Sequence, residues 1–230
     1  MGIAVILLSY NRPTLVQKAI ESVLNQTYED FKLYIVDNNS RREVQDMLEL
    51  WQNIYPDKIV LHFFDTKEED RMKKCWISIM VNWGIKNSTE EYICMLTDDM
   101  WYDKNRLERI AKHLGKHPSK VVYGTQITQK ADGEVVRIRP ALDVLLPNNK
   151  GLAGEQLVFH RSLIDEIGYW NESSTVNTCM DREFQLRIPY KRIPVKGAIN
   201  YELEHYKRWT KLMIKGGPAK KELIDGSLME

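Results

Sequence analysis

Four short apolar runs, residues 3–8, 31–36, 59–64 and 92–96, are separated by stretches of helical periodicity. Near-continuous apolar runs of this length mark strands buried on both faces. Between them, Leu15, Ala19, Ile20, Val23 and Leu24 recur at helical spacing, as do Val44, Met47, Leu48 and Trp51, and residues 76–85 form a third helical stretch. The order βαβαβαβ predicts an α/β fold: a mostly parallel sheet with helices on both faces. Right-handed crossovers then carry every strand's C-terminal end to one edge, where open α/β sheets bind ligands. Three polar clusters fall on that edge: Ser9-Tyr10-Asn11-Arg12, Asp37-Asn38-Asn39-Ser40 and Thr97-Asp98-Asp99.

The second half reads differently. A helix is expected over 107–114, and paired strands over 121–128 and 135–138, joined across Ala131-Asp132-Gly133. Residues 140–149 are irregular, 157–159 read as a short strand, 162–167 as a helix, and 180–188 as another helix starting near Asp181. From Lys207 the chain is basic and polar and carries Gly216-Gly217-Pro218, the mark of a tail or lid. This divides the chain into residues 1–100, 101–206 and 207–230.

With 43% apolar and 28% charged residues, a packed core is expected and disorder is not. A net charge of +1 argues against a nucleic-acid binder. No run approaches the roughly 18 apolar residues of a membrane span, and residues 3–8 lack a basic region and cleavage site of a signal peptide. Cys75, Cys94 and Cys179 offer neither a disulfide framework nor a zinc pattern. The cytoplasm is the expected compartment, with peripheral membrane attachment left open.

The acidic cluster carries the chemistry. Two carboxylates at a strand end suit a hard divalent cation, although Asp98 could equally begin a helix. No Gly-x-Gly-x-x-Gly follows the first strand and no phosphate loop ending in Gly-Lys-Ser/Thr occurs. A bound phosphate would need another positive charge, which a cation on Asp98 or Asp99 supplies.

In combination, Val5-Ile6-Leu7-Leu8-Ser9-Tyr10-Asn11-Arg12, residues 19–28, Ile35-Val36-Asp37-Asn38-Asn39-Ser40, Asn82-x-Gly84-Ile85 and residues 91–99 resemble the family 2 glycosyltransferases of the GT-A fold. Within them the chain is most similar to the branch that builds bacterial spore-coat polysaccharide, which shares the Thr-Asp-Asp form of the acidic motif. Weaker matches continue through Arg139-Pro140-Ala141, His160-Arg161 and Gly168-Tyr169-Trp170.

The resemblance implies a GT-A domain whose first half grips a nucleoside-diphosphate sugar and whose smaller, mixed second half takes a saccharide or glycoconjugate acceptor. It implies Mn²⁺ or Mg²⁺ on Asp99, with His205 as a second ligand or else a surface histidine. Asp98 falls at the ribose or the metal shell. Ser9, Tyr10, Arg12, Asp37, Asn38 and Arg71 fall on the nucleotide. Asn38 stands where an acid is usual; its carbonyl could accept the N3–H of uracil or thymine, its amide could donate to other bases, and a UDP- or dTDP-linked donor is the first expectation. Plainer readings stay open: turn chemistry for Asn38, a core aromatic for Tyr10, a solvated charge for Arg71. Asp181 is the expected general base, with Glu155 its rival or a sugar-positioning partner. The rival functions are a sugar nucleotidyltransferase and a non-catalytic nucleotide- or glycan-binding relative.

Overall fold

The computed structural model describes residues 1–141 and 152–204. Among them nine strands form one sheet: β1 (Ile3–Ser9), β2 (Phe31–Asp37), β3 (Ile59–Phe63), β4 (Tyr92–Thr97), β5 (Met100–Tyr102), β6 (Val121–Gln129), β7 (Val135–Arg139), β8 (Leu157–His160) and β9 (Ile193–Leu203). Its order is β3-β2-β1-β4-β8-β6-β9-β5, with β7 paired to β6. The first four strands are mutually parallel, as the alternating pattern requires. The second half extends the same sheet, β8 joining β4 antiparallel and β6 joining β8 antiparallel.

The buried runs divide their side chains between two cores by strand periodicity. Ile3, Val5 and Leu7 of β1 pack with Val16, Ala19, Ile20 and Val23 of α1 (Pro13–Leu24), Val44 and Leu48 of α2 (Arg42–Ile54), and the apolar face of the helix at Arg106–Lys116. Ala4, Ile6 and Leu8 face the opposite way, onto Met80, Val81 and Ile85 of α3 (Trp76–Asn87). Numbered in chain order, the helix at Arg106–Lys116 is α4, followed by α5 (Leu163–Ile167) and α6 (Met180–Arg187), which cover the second core. Each large apolar side chain so buried contributes on the order of 2 kcal/mol.

The shorter motifs prove to be joints. At Gly84 a β-carbon would lie 2.7 Å from Ile6 Cγ1, so only glycine lets α3 rest on β1. Asn82 Nδ2 donates to the Trp170 carbonyl at 2.9 Å, and Asn82 Oδ1 accepts from the Trp170 amide at 2.9 Å. Arg161 donates to the carbonyls of Glu90 and Ile85, both at 2.9 Å.

Two strands escape the sequence pattern. β5 is three residues long, and β9 contains Pro194 and a Gly197 at φ +73°. β9 pairs parallel to β6 through a register shift at Gly124, where a β-carbon would meet the Ala198 carbonyl at 2.2 Å. His205 and the basic stretch from Lys207 lie outside the described residues.

Candidate active site

The loops after β1 and β2 are bolted together. Asn38 N donates to the Ser9 carbonyl at 3.0 Å, Asn11 N to Ser40 Oγ at 2.8 Å, and Arg41 N to Asn11 Oδ1 at 2.7 Å. Asn11 and Asn39 hold left-handed backbone, φ 50° and 61°, which asparagine tolerates better than most residues. Asp37 is fully buried and accepts from both the amide and the hydroxyl of Ser40. Burial lifts its pKa, and the Ser40 hydrogen bonds pull the other way. Its carboxylate is thus engaged in shaping the loop, and Ser9, also buried, supplies a backbone acceptor to that loop.

Tyr10, Asn38 and Arg71 form one cluster. The Arg71 guanidinium lies 4.1 Å over the Tyr10 ring and donates to the Asn38 carbonyl at 3.2 Å. At 14% exposure, its side chain is not the solvated charge that neighbouring Lys67, Lys73 and Lys74 suggested. Thr66, at 1% exposure, donates its hydroxyl to Asn38 Oδ1 at 2.5 Å.

Asp98 and Asp99 follow β4 in a turn, not at the head of a helix, since α4 starts only at Arg106. Arg12 Nη1 donates to Asp98 Oδ1 at 2.9 Å and to Asp99 Oδ2 at 3.2 Å. Tyr10 N donates to Asp98 Oδ2 at 3.0 Å, and Thr97 Oγ1 to Asp99 Oδ1 at 2.5 Å. Burial pushes the Asp98 carboxyl up to about 6; Arg12 opposes the rise and Asp99 adds to it. Burial also acts against the Arg12 charge, but Asp98 and Asp99 outweigh it and hold the guanidinium above its ordinary pKa.

The second half brings two more acids to this edge. A short helical turn at Gly154–Gln156 carries Glu155, and Asp181 sits in the first turn of α6. Burial pushes Glu155 up to about 8 against its own backbone hydrogen bond, with Asp181, Asp99 and Glu202 adding to the rise. Those four acids therefore share one electrostatic neighbourhood. Asp181 does not cap α6; among the described residues its Oδ1 accepts from the adjacent Arg182 amide, at 2.9 Å.

Three supporting residues lay beyond the sequence reading. Arg106, fully buried, donates to the carbonyls of Ala198 at 3.0 Å and Glu155 at 3.1 Å, so a cation reaching from α4 holds the turn that presents Glu155. Glu202 accepts from Gln126 Nε2 at 2.8 Å and Thr128 Oγ1 at 2.7 Å. Thr66 is the third. Arg106 did carry a signal, standing four residues before Ile110 on the apolar face of α4; Thr66 and Glu202 carried none.

Among the described residues no group of three or more His, Cys, Asp or Glu is placed to hold an ion unaided. Asp99 and Asp98 nevertheless offer the hard oxygen donors that Mn²⁺ or Mg²⁺ takes, and such ions are commonly held by one or two carboxylates plus substrate phosphates. The pair therefore fits an ion completed by a diphosphate. No helix among the described residues is long and apolar enough to cross a membrane.

The profile described as Glycosyl transferase family 2 matches residues 4–179. The chain is 32% identical over 181 residues to protein CgeD of Bacillus subtilis, covering 74% of this chain but only 42% of that protein. Among solved structures it resembles S. aureus TarS 1–349 in complex with UDP, with TM-score 0.67 and 17% identity over 93% of this chain and 63% of that one. It also resembles the mannosyltransferase PcManGT of Pyrobaculum calidifontis in complex with GDP-Man and Mn²⁺, with TM-score 0.64 and 14% identity over 96% and 67% of the two chains. These structural likenesses are to the GT-A glycosyltransferase fold.

Proposed function

Because the chain belongs to glycosyl transferase family 2, we propose that it moves a sugar from a nucleoside-diphosphate donor to a hydroxyl of a saccharide or glycoconjugate acceptor. The observation that carries this reading is the pair Asp98 and Asp99, held by Arg12 at the strand-end edge and joined through the Tyr10 amide to the Tyr10–Asn38–Arg71 cluster.

The reaction is a single in-line displacement with inversion. The anomeric carbon–oxygen bond to the diphosphate breaks, its electron pair leaves with the diphosphate, and the acceptor oxygen forms the new bond. Asp181 takes the acceptor proton. Its partial exposure and lack of a capping role leave the carboxylate available for that task. Glu155, whose pKa is pushed up to about 8, can donate a hydrogen bond to a sugar hydroxyl while it keeps its proton. Asp99, with Asp98 beside it, would hold a divalent cation, which when bound neutralises charge developing on the leaving diphosphate. Arg12, already spanning both carboxylates, keeps them together and offsets their mutual repulsion. The neighbours in complex with UDP and with GDP-Man and Mn²⁺ support a nucleotide-sugar donor.

The test is release of nucleoside diphosphate from a panel of sugar donors with Mn²⁺ or Mg²⁺, in the presence of saccharide acceptors. Loss of release in Asp181→Asn, with folding intact, supports the assignment. Wild-type turnover in that variant removes Asp181 from the mechanism. Metal-dependent nucleotide binding with no turnover across the panel would favour a non-catalytic binding relative.

A further inference from the structure

We propose that Arg12 is the resident cation of the Asp98–Asp99 pair. A divalent ion enters there only by displacing Arg12, and enters readily only with a nucleoside diphosphate that takes up the freed guanidinium. The inference rests on the glycosyltransferase reading above, in which the same pair holds Mn²⁺ or Mg²⁺.

All four carboxylate oxygens of the pair already accept a hydrogen bond. Arg12 Nη1 donates to Asp98 Oδ1 at 2.9 Å and to Asp99 Oδ2 at 3.2 Å. Tyr10 N donates to Asp98 Oδ2 at 3.0 Å, and Thr97 Oγ1 to Asp99 Oδ1 at 2.5 Å. One nitrogen thus bridges the two acids, as an ion shared between them would. A metal ion and a guanidinium on the same oxygens repel each other. Water screens that repulsion little, because the side chains of Arg12, Asp98 and Asp99 are only 19%, 8% and 18% exposed. One cation must therefore leave. Losing two charge-assisted hydrogen bonds sets the ion back at least about tenfold in affinity.

Arg12 is placed to change partners. It stands between β1 and α1, directly ahead of Pro13, and its side chain does not cap α1. Among the described residues its guanidinium is bonded to Asp98 and Asp99, both through Nη1. Its Nε and Nη2 are not among the buried unpartnered atoms, so solvent reaches them. The neighbouring residue Tyr10 belongs to the cluster with Asn38 and Arg71. A diphosphate bound beside that cluster offers oxygens that match the planar fork of an arginine. The ion then takes the carboxylates while the guanidinium takes phosphate, and no covalent bond changes. Metal and nucleotide each raise the affinity for the other, by the same factor.

The experiment titrates Mn²⁺ alone, by calorimetry, into the wild type, Arg12→Gln and Arg12→Lys. UDP and GDP are then titrated into each protein with and without Mn²⁺. Arg12→Gln should bind Mn²⁺ alone at least about tenfold tighter than the wild type. Arg12→Lys, which keeps a nitrogen cation, should stay near the wild type. Mn²⁺ should strengthen nucleotide binding by a larger factor in the wild type than in Arg12→Gln. Folded Arg12→Gln that binds Mn²⁺ no tighter than the wild type overturns this inference alone, as does equal tightening in Arg12→Lys. Mn²⁺ that binds the wild type but leaves its nucleotide affinity unchanged overturns it without any variant. No Mn²⁺ binding by any of the three proteins, with or without nucleotide, overturns the metal role in the transferase reading and this inference together.

Discussion

Gly154 and Asp181 stand so close that a β-carbon on the glycine would lie 3.2 Å from Asp181 Cβ. The same atom would meet Met95 Sδ at 3.2 Å and the Trp170 ring at 3.3 Å. The missing side chain thus lets the turn carrying Glu155 approach the first turn of α6. Gly154→Ala should cost roughly 1–3 kcal/mol of stability by overpacking. Transfer should fall by more than that loss implies, since the two carboxylates are forced apart. Urea unfolding alongside donor turnover measures both; unchanged turnover in a destabilised variant would separate the contact from the chemistry.

Asp99 should control metal dependence. In Asp99→Asn, Mn²⁺-dependent nucleotide affinity should drop at least about tenfold, because one charged oxygen ligand becomes a neutral one. Excess chelator should bring the wild type to the same level. Calorimetry with and without the chelator checks this, and full activity of Asp99→Ala in chelator would end the metal role.

Glu155 predicts a pH signature with a definite sign. Its pKa rises from the ordinary 4.5 to about 8 in the fold, so between those values the folded chain holds a proton that the unfolded chain has released. Stability therefore falls as pH rises through that window. Glu155→Gln stays neutral throughout, so its melting temperature relative to wild type should climb from pH 5 to about pH 8 and then level off. Parallel melting curves for the two proteins would show that Glu155 is not held protonated.

Arg106 should be among the most sensitive positions in the chain. Its guanidinium serves the carbonyls of Ala198 and Glu155, and Gly124 is kept bare to admit it, a β-carbon there lying 2.4 Å from Nη1. Arg106→Met should destabilise by about 3 kcal/mol or more, because the carbonyls lose their partners in a buried site. Arg106→Lys keeps the charge but loses the fork, and should recover only part of that loss. Chemical denaturation decides it, and near-wild-type stability of Arg106→Met would show those carbonyls to be satisfied otherwise.

The parallel half of the fold was legible because its signals are local. Ile3, Val5 and Leu7 against Ala4, Ile6 and Leu8 already specify a strand covered on both faces, and the helices between leave little choice of topology. The strand-end clusters Ser9–Arg12, Asp37–Ser40 and Thr97–Asp99 follow from that topology. β9 was not legible, since Pro194 and Gly197 interrupt its alternation and its pairing with β6 spans about seventy residues of chain. Asp37 and Arg71 were both expected at the nucleotide, with a solvated charge as the alternative for Arg71; in the structure Asp37 accepts from Ser40 and Arg71 is folded over Tyr10.

By itself the sequence determined the α/β class, the acidic edge and the family, all of which rest on short-range periodicity and contiguous motifs. Only the tertiary structure decided which polar atoms are already engaged. Thr66 donates to the Asn38 amide, Arg12 binds Asp98 and Asp99 together, and Arg106 holds Glu155 from a helix 49 residues away. Hydrogen-bond partners are assigned by proximity in space, and a linear pattern carries no record of which donor reaches which acceptor.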